Sequence, residues 1–359
     1  MHTGITRQKI QTGLAAIGWF VLFLLFLLAA PLMLQWSGTL FLGIVVFSAL
    51  VGTGLFFLLR LLLKWTGSPV IPAIKSAFLA IGLVSILVTA PVYYISMKVA
   101  LAPVMLPQAV ITNGEKTVVF QGMVHVGAES FYKSVVFDLE EALSDGYTIF
   151  YEGVQPSPGE GDEWFSAVLA GGGSMDNNYQ TLADICGVEF QLNYFGLMAE
   201  DRERNPERHV DADVTTLEMK REAERLALTN PAIAQAIEKA LQGTEADTQE
   251  VTGVMAWLQQ GSEGQRRIVG SLCRGVLAMT LGDNSGNALL PVILDFRNQA
   301  LVDRILASEA DKIYITYGAA HLLGILELLK NATPAWELVS VKWMQGVTVP
   351  VDYEGYLEI

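Results

Sequence analysis

The first 106 residues of this 359-residue chain contain no aspartate or glutamate, although the chain has 37 acidic residues in all. The charged residues of this stretch are Arg7, Lys9, Arg60, Lys64, Lys75 and Lys98. The remainder therefore carries every acidic residue of a chain whose net charge is −14. This division predicts two modules, a membrane anchor at 1–106 and a water-soluble domain at 107–359.

Several common catalytic signatures are also missing. The motif His-Glu-x-x-His does not occur, since Val126 follows His125, and the glycine-rich run at 171–173 lacks the second glycine of a serine nucleophile elbow. No phosphate-binding Gly-x-x-x-x-Gly-Lys is present, and the strong negative charge argues against nucleic acid as a partner. Cys186 and Cys273 could pair outside the cytoplasm, or both could be buried free thiols.

Three long apolar runs fill the first module, at about 14–34, 40–59 and 77–97. Each run is long enough to cross the roughly 30 Å hydrocarbon layer as a helix, because some 20 residues suffice. The first run exceeds the apolar core of a cleaved signal peptide, so we expect a permanent anchor. No Asp, Glu or His lies within a run, which excludes a proton relay through this module.

The positions of the basic residues predict the orientation in the membrane. Five of the six lie before the first run or between the second and third, on one side. Cytoplasmic loops are enriched in Lys and Arg, so this side should be cytoplasmic. We therefore expect an integral membrane protein whose soluble domain lies on the extracytoplasmic side.

The soluble part has the pattern of an α/β domain. Strands are predicted at 117–121 and 147–152, with a helix between them that carries Phe131 to Leu143 and ends at Gly146. This βαβ unit implies two parallel strands joined by a right-handed crossover. Further strands are predicted at 312–317, 338–343 and 347–351, and the stretch 155–178, rich in glycine and proline, is predicted to be a loop.

The segment from about 215 to 307 is mostly helical in pattern, with amphipathic stretches near 217–228, 233–241, 250–258, 265–281 and 289–306. We interpret it as a helical insertion that covers one edge of the sheet, with an independent helical subdomain as the alternative. The predicted fold class is therefore three amino-terminal transmembrane helices followed by a mainly parallel-sheet α/β domain with a helical insertion.

One short pattern occurs twice in the soluble part. Gly122-Met123-Val124-His125 and Gly318-Ala319-Ala320-His321 each begin at the end of a predicted strand, and the chain has only four histidines. Glu152 also ends a predicted strand. Because ligands of open α/β sheets bind at the carboxyl ends of the strands, we expect all three side chains at one edge.

These residues, together with Val119-Phe120-Gln121, Asp211-Ala212-Asp213-Val214, Arg297-Asn298 and Tyr317, resemble the TraB/GumN family in the same order along about 115–330. That family includes pheromone-shutdown and Tiki protease proteins, and it is distantly similar to erythromycin esterases and ChaN-like proteins. The resemblance implies a metal-dependent hydrolase with both histidines and the glutamate in the site. Three amino-terminal spans depart from the single anchor of the Tiki proteins.

The residue types are compatible with that chemistry. His125, His321 and Glu152 would supply two neutral imidazoles and a carboxylate, a set suited to a divalent metal such as Mn, Co, Zn or Fe that leaves positions open for water. The alternatives are two histidines that cap loops, and a Glu152 that acts as a general base or belongs to a buried ion pair.

Three other residues have two interpretations each. Arg297 would bind a substrate carboxylate or an oxyanion, or else form a salt bridge on a helix surface. Asp213 precedes Thr215 and Thr216 at a helix start, so it is catalytic or a helix cap. His209 lies in a very polar stretch and is expected to be a solvated loop residue, with a role in the site as the alternative.

The predicted function is a membrane-anchored, metal-dependent hydrolase, a peptidase whose substrate is a peptide or another small amide or ester. The rival prediction is a non-catalytic membrane protein that sequesters a peptide or pheromone in the same pocket. A structural membrane protein with vestigial histidines is a third alternative.

Overall fold

The computed structural model describes residues 2–242, 260–281 and 287–349. The chain divides into two compact units, which we describe separately. The first contains residues 2–97 and 261–272, and the second contains 98–242, 273–281 and 287–349 together with Gln260. The predicted helical stretch at 250–258 and the end of the predicted strand 347–351 lie outside the described residues.

The first unit is built on three long helices, α1 (His2–Trp36), α2 (Gly38–Leu62) and α3 (Val70–Leu101). Each is long and apolar enough to cross a membrane, over Lys9–Trp36, Gly38–Leu62 and Val70–Leu101. Small residues let α2 and α3 approach closely, since a Cβ on Gly52 would lie 2.5 Å from the Ser76 carbonyl oxygen. Ser76 Oγ also donates a hydrogen bond to Gly52 O at 2.7 Å. This packing through small residues is typical of membrane helices.

The second unit contains a six-stranded sheet in the order β6-β4-β7-β2-β1-β8. Its strands are β1 (Val104–Thr112), β2 (Thr117–Met123), β4 (Thr148–Tyr151), β6 (His209–Asp211), β7 (Lys312–Gly318) and β8 (Glu337–Val347). The pairs β6-β4, β4-β7 and β7-β2 are parallel, whereas β1 is antiparallel to both β2 and β8. The sheet is therefore mixed, with a block of four parallel strands. A separate two-stranded sheet pairs β3 (Val126–Gly127) with β5 (Glu189–Phe190).

Helices cover both faces of the sheet. The helices described after α3 are α4 (Glu129–Ser144), α5 (Glu160–Val168), α6 (Met175–Cys186), α7 (Leu192–Phe195), α8 (Ala199–Arg204), α9 (Thr216–Ala227), α10 (Pro231–Gln242), α11 (Glu263–Thr280), α12 (Arg297–Ala307) and α13 (Leu322–Ala332). On one face α12 and α13 pack Leu301, Ile305 and Ile325 against the sheet. On the other face α4 packs Phe131 and Leu139.

The structure corrects two expectations about elements and adds one strand. Strand β1, which contains Pro107, was not predicted, and β7 lies between the parallel strands β2 and β4. The strand predicted at 338–343 lies within β8, which continues to Val347 and is irregular near Val110 and Val104 of β1, so Val347 does not begin a separate strand.

The glycine- and proline-rich stretch 155–178 is not a loop throughout. It contains α5 and the start of α6. Helix α5 forms there because Trp164 and Val168, one helical turn apart, pack with Met219 and Ala223 of α9 in a shared apolar cluster. Tertiary burial therefore outweighs the local composition.

Candidate active site at the carboxyl edge of the sheet

The four parallel strands end at one edge of the sheet. Strands β2, β4, β6 and β7 end at Met123, Tyr151, Asp211 and Gly318. A residue with polar chemistry follows each end within three positions, and these residues are His125, Glu152, Asp213 and His321. The topology thus brings together residues that lie far apart in the sequence, at the edge where ligands of α/β sheets bind.

A buried ion-pair network joins Glu152, Arg297 and Asp213. Arg297 Nη2 lies 2.6 Å from Glu152 Oε1 and 2.5 Å from Asp213 Oδ2, and Arg297 Nε donates to Asp213 Oδ1 at 3.0 Å. The backbone N–H of Gly318 donates to Glu152 Oε2 at 2.6 Å. Both oxygens of Glu152 are therefore held in place, one by a guanidinium and one by the neighbouring strand.

Arg297 begins α12 directly after a π-helical segment, Pro291–Phe296. It is only 7% exposed, so the alternative of a salt bridge on a helix surface is wrong. Its guanidinium carbon lies 5.6 Å from the centroid of the Tyr317 ring, and Nη1 donates to Ile293 O at 3.4 Å. All three nitrogens of the guanidinium are engaged within the protein.

Asp213 is 1% exposed and accepts hydrogen bonds from the backbone N–H groups of Gly153 and Val214. It does not cap the following helix, because Thr215 is the N-cap of α9 and forms a capping box with Glu218. The helix-cap interpretation of Asp213 is therefore wrong. Its observed contacts fix the position of Arg297.

The network sets the ionisation of its members. Burial opposes the charged form of Glu152, but the Arg297 guanidinium overcomes this and lowers the pKa of Glu152 to about 2. Burial likewise opposes the charged form of Arg297, while Glu152 and Asp213 raise its pKa above the usual value. Glu152 is thus a carboxylate, and Arg297 a cation, throughout the neutral pH range.

His321 lies in a short 3₁₀ turn, Ala319–His321, between β7 and α13, and is 3% exposed. Its Nδ1 lies 2.7 Å from Asn298 Oδ1. Because an amide oxygen only accepts, Nδ1 carries the proton, and Nε2 presents a lone pair 3.7 Å from Glu152 Oε1. Burial lowers the pKa of His321 to about 4, so the ring is neutral at pH 7.

His125 lies between β2 and β3 and is half-buried. Its ring stacks on Tyr179 of α6, with centroids 4.1 Å apart and an interplanar angle of 20°. Gln191 Nε2 lies 3.0 Å from His125 Nδ1. Burial lowers the pKa of His125, and the charge of Glu152 opposes that shift. The charge of Glu152 likewise opposes the lowering of the His321 pKa by burial.

The two motif glycines differ in how tightly they are packed. Neither Gly122 nor Gly318 has a positive φ angle. A Cβ on Gly122 would lie 2.9 Å from the Pro107 carbonyl oxygen and 3.0 Å from Ala319 Cβ. A Cβ on Gly318 would lie 3.5 Å from Glu152 Oε2 and 3.4 Å from His321 Cδ2, which are ordinary van der Waals distances. Close packing therefore requires a glycine at position 122 but not at position 318.

His209 is not a solvated loop residue. It begins β6, is 6% exposed, and lies 2.9 Å from Tyr151 Oη through Nδ1 and 2.8 Å from Asp201 Oδ2 through Nε2. Strand pairing with β4 buries it although its neighbours are charged. The described contacts do not join it to Glu152 or to the other two histidines.

Within 2–242, 260–281 and 287–349, no three His, Cys, Asp or Glu side chains form a ready cation site. The donor chemistry nevertheless fits, since Glu152 is ionised and His321 directs a lone pair toward it while Asn298 holds its opposite nitrogen. Metal-binding histidines commonly have such a partner on the second nitrogen.

Sequence reasoning missed the residues that hold the two histidines. Asn298 stood in the sequence beside Arg297, with no role assigned to it. Tyr179 and Gln191 had no signal in the sequence, because they reach His125 only through the pairing of β5 with β3.

Comparison of the chain with models of protein families, with curated proteins and with solved structures found no match. The function is therefore inferred from the geometry of the site.

Proposed function

We propose that this protein is a membrane-anchored, metal-dependent hydrolase that cleaves peptide bonds or other small amides or esters. The observation that carries the proposal is the pair His321 Nε2 and Glu152 Oε1, which face each other at 3.7 Å. With the proton on Nδ1, both atoms are acceptors and repel each other. A cation between them would turn this repulsion into attraction.

In this proposal His125, His321 and Glu152 hold the cation. A bound divalent ion would polarise the substrate carbonyl and lower the pKa of a water molecule from about 15.7 toward 7. A Glu152 with a pKa of about 2 is too weak a base for efficient proton transfer near pH 7, which favours its role as a ligand.

The remaining residues act by positioning. Arg297 and Asp213 keep Glu152 charged and fixed, although a guanidinium so close to a cation site also repels the ion. The group Glu152, Asp213 and Arg297 carries a net charge of −1 at pH 7, which still favours a cation. Asn298 fixes the tautomer of His321. The resemblance to the TraB/GumN family supports the same assignment, and membership of that family is part of this proposal.

A protein that sequesters a peptide without cleaving it is the second candidate. The lack of a closed three-residue cation site among the described residues favours it. Such a protein would use the same edge of the sheet and would need no metal.

One experiment separates the two candidates. Full-length protein in detergent is stripped with a chelator, reloaded with Mn, Co, Zn or Fe, and assayed on a peptide and ester library with metal content measured in parallel. The hydrolase proposal expects stoichiometric metal and activity that returns on reloading. His209→Gln is the matched control, since it alters a buried histidine outside the site. Retention of a peptide without cleavage, at any metal content, would replace the hydrolase by the sequestering protein.

We also propose that the second unit lies outside the cytoplasm. The described residues include a disulfide, Cys186–Cys273, and disulfides persist in oxidising compartments. A cysteine introduced at Gly159 in a variant without the native pair should react with an impermeant thiol reagent in intact cells, whereas one at Gly67 should be protected. Labelling of Gly159 only after permeabilisation would reverse the orientation.

A further inference from the structure

One segment provides both side chains that contact the His125 ring. We call it the His125 clamp, residues 175–191, which comprises α6, β5 and Gln191. Tyr179 of α6 stacks on the ring, and the Gln191 side chain lies 3.0 Å from Nδ1. The Gln191 backbone N–H also donates to His125 O at 3.0 Å, and β5 pairs with β3, which follows His125. The clamp therefore holds both the ring and the backbone of His125.

The clamp has little apolar packing of its own. Its cluster contains three buried residues, Val126, Ala183 and Phe190, with four partly buried ones packed against them, Tyr179, Leu182, Val188 and Leu277. The strand pairing between β3 and β5 is two residues long. Packing and backbone hydrogen bonds on this scale are marginal for holding a helix against a site.

A covalent bond anchors the clamp instead. Cys186, the last residue of α6, forms a disulfide with Cys273 of α11, and Cys186 is fully buried. Arg274, next to Cys273, donates from Nη1 to Cys186 O at 2.6 Å. The end of α6 is thus fixed to α11 by a covalent contact and a polar contact. In the sequence, the anchored residue Cys186 lies between Tyr179 and Gln191.

We propose that Tyr179 and Gln191 are positioning residues for His125, and that the Cys186–Cys273 disulfide keeps them in position. The proposal deepens the proposed function, because it makes competence of the site depend on the oxidised cysteine pair. Reduction by a dithiol transfers two electrons and two protons to the disulfide, which yields two thiols while the reductant becomes a disulfide.

The first measurement does not depend on any metal or activity. Full-length protein is labelled at its four histidines, kept free of metal, and observed by NMR, with assignments from histidine variants. The stacked Tyr179 ring should shift the His125 ring signals upfield. Cys186→Ala/Cys273→Ala and Tyr179→Leu should remove that shift and leave the His321 signals unchanged, while Tyr179→Phe should retain it.

The second measurement is the affinity for Co²⁺ alone, by competition with a chelator, together with kcat and KM. Gln191→Met and the cysteine double variant should each weaken Co²⁺ binding by about 10- to 100-fold, the range typical of residues that orient a metal ligand. They should lower kcat more than they raise KM. Gln180→Met is the matched control, because Gln180 lies in the clamp, on α6, and its side chain bonds to Asp184.

The outcomes separate the two proposals. Wild-type protein that binds no Co²⁺ and cleaves nothing would defeat the proposed function, while the NMR signals would still decide whether the clamp holds His125. An unchanged His125 shift in the cysteine double variant would overturn the role of the disulfide. If Gln191→Met or Tyr179→Leu loses the upfield shift of the His125 signals but keeps the wild-type Co²⁺ affinity, the contacts of these residues with His125 are packing contacts that do not orient it as a metal ligand.

Discussion

The two Gly-x-x-His motifs share a pattern but differ in surroundings. They follow neighbouring parallel strands, since Gly122 pairs with Tyr317 and Met123 with Gly318. His321 lies in a 3₁₀ turn, is 3% exposed, and is held by Asn298 of the neighbouring α12. His125 lies at a bend between β2 and β3, is half-buried, and is held by Tyr179 and Gln191, more than 50 residues downstream in the sequence.

Two motifs with the same spacing of residues can therefore hold their histidine side chains in different ways. The His321 side of the site is rigid, because a helix and a buried ion-pair network surround it. The His125 side is attached through a small satellite cluster and a disulfide. We expect substitution of either histidine to have a similar effect on activity. Substitution of a residue that supports a histidine should have different effects on the two sides.

The largest expected effect tests whether the two histidines act as one unit. His125→Ala and His321→Ala should each reduce kcat/KM for a peptide by about a thousandfold or more, and the double variant should be hardly worse, because residues that act together are strongly non-additive. Kinetics of the cobalt-loaded protein measures this, with His209→Gln as control. Losses that multiply in the double variant would mean that the motifs act separately.

The next effect concerns stability on the His321 side. Arg297→Met leaves Glu152 and Asp213 buried without their cation and should lower the free energy of unfolding by about 3 to 5 kcal/mol. Gln191→Met, on the His125 side, should cost less than about 1.5 kcal/mol. Chemical unfolding followed by fluorescence measures both. Arg225→Met removes an exposed pair with Glu222 and should change stability far less than Arg297→Met. Equal values for Arg297→Met and Arg225→Met would contradict the prediction.

The third prediction concerns the pH dependence of the free energy of unfolding, which should come mainly from His321. Burial lowers the pKa of His321 from 6.5 to about 4, so between these values the unfolded chain binds a proton that the folded protein excludes. Stability should therefore fall as the pH drops from 6.5 toward 4, by on the order of 3 kcal/mol from this residue. The lowered pKa of His125 acts in the same direction.

Unfolding of the metal-free protein across this pH range checks the third prediction. His321→Gln should flatten most of the pH dependence, and His209→Gln serves as a second buried-histidine variant for comparison. If His321→Gln leaves the pH dependence of the free energy of unfolding unaltered, His321 is not buried in its neutral form in the folded protein.

The smallest expected effect concerns the tautomer of His321. Asn298→Ala removes the acceptor for Nδ1 and should weaken Co²⁺ binding by about 10- to 100-fold, whereas Asn298→Asp keeps an acceptor and should retain more of the affinity. Competition with a chelator measures the change. Gln299→Ala is the matched control, because the neighbouring Gln299 bonds to the exposed Asp303. If Asn298→Ala and Gln299→Ala behave alike, Asn298 does not orient His321.

Most elements with a strong local pattern could be predicted from the sequence. The helix that ends before Gly146 and the strands β2, β4 and β7 lie within a few residues of their predicted bounds, because run length and periodicity determine them. The three apolar helices were also predicted, but α1 and α3 extend well beyond the apolar runs at 14–34 and 77–97. Strand β1 was missed since it follows a membrane helix closely and contains Pro107. The order of strands could not be derived, because it depends on long-range pairing.

The candidate site likewise contains some residues that the sequence indicates and others that it does not. His125, Glu152 and His321 could be named because each stands after a recognisable strand. The support of Arg297 by Asp213, of His321 by Asn298, and of His125 by Tyr179 and Gln191 depends on side chains from distant elements. No local pattern marks such contacts.

The position of β7 has a consequence for how the chain is made. It occupies the middle of the parallel block, between β2 and β4, yet it is the last of the four strands to be synthesised. Until residues 312–318 emerge, β2 and β4 each expose an unpaired edge, and such edges invite pairing with other chains. A chain that stops before Lys312 would already contain His125, Glu152, Asp213 and Arg297, but would have no strand to align them. The candidate site therefore assembles in one late step, and nascent or truncated chains should lack that site and be prone to aggregate.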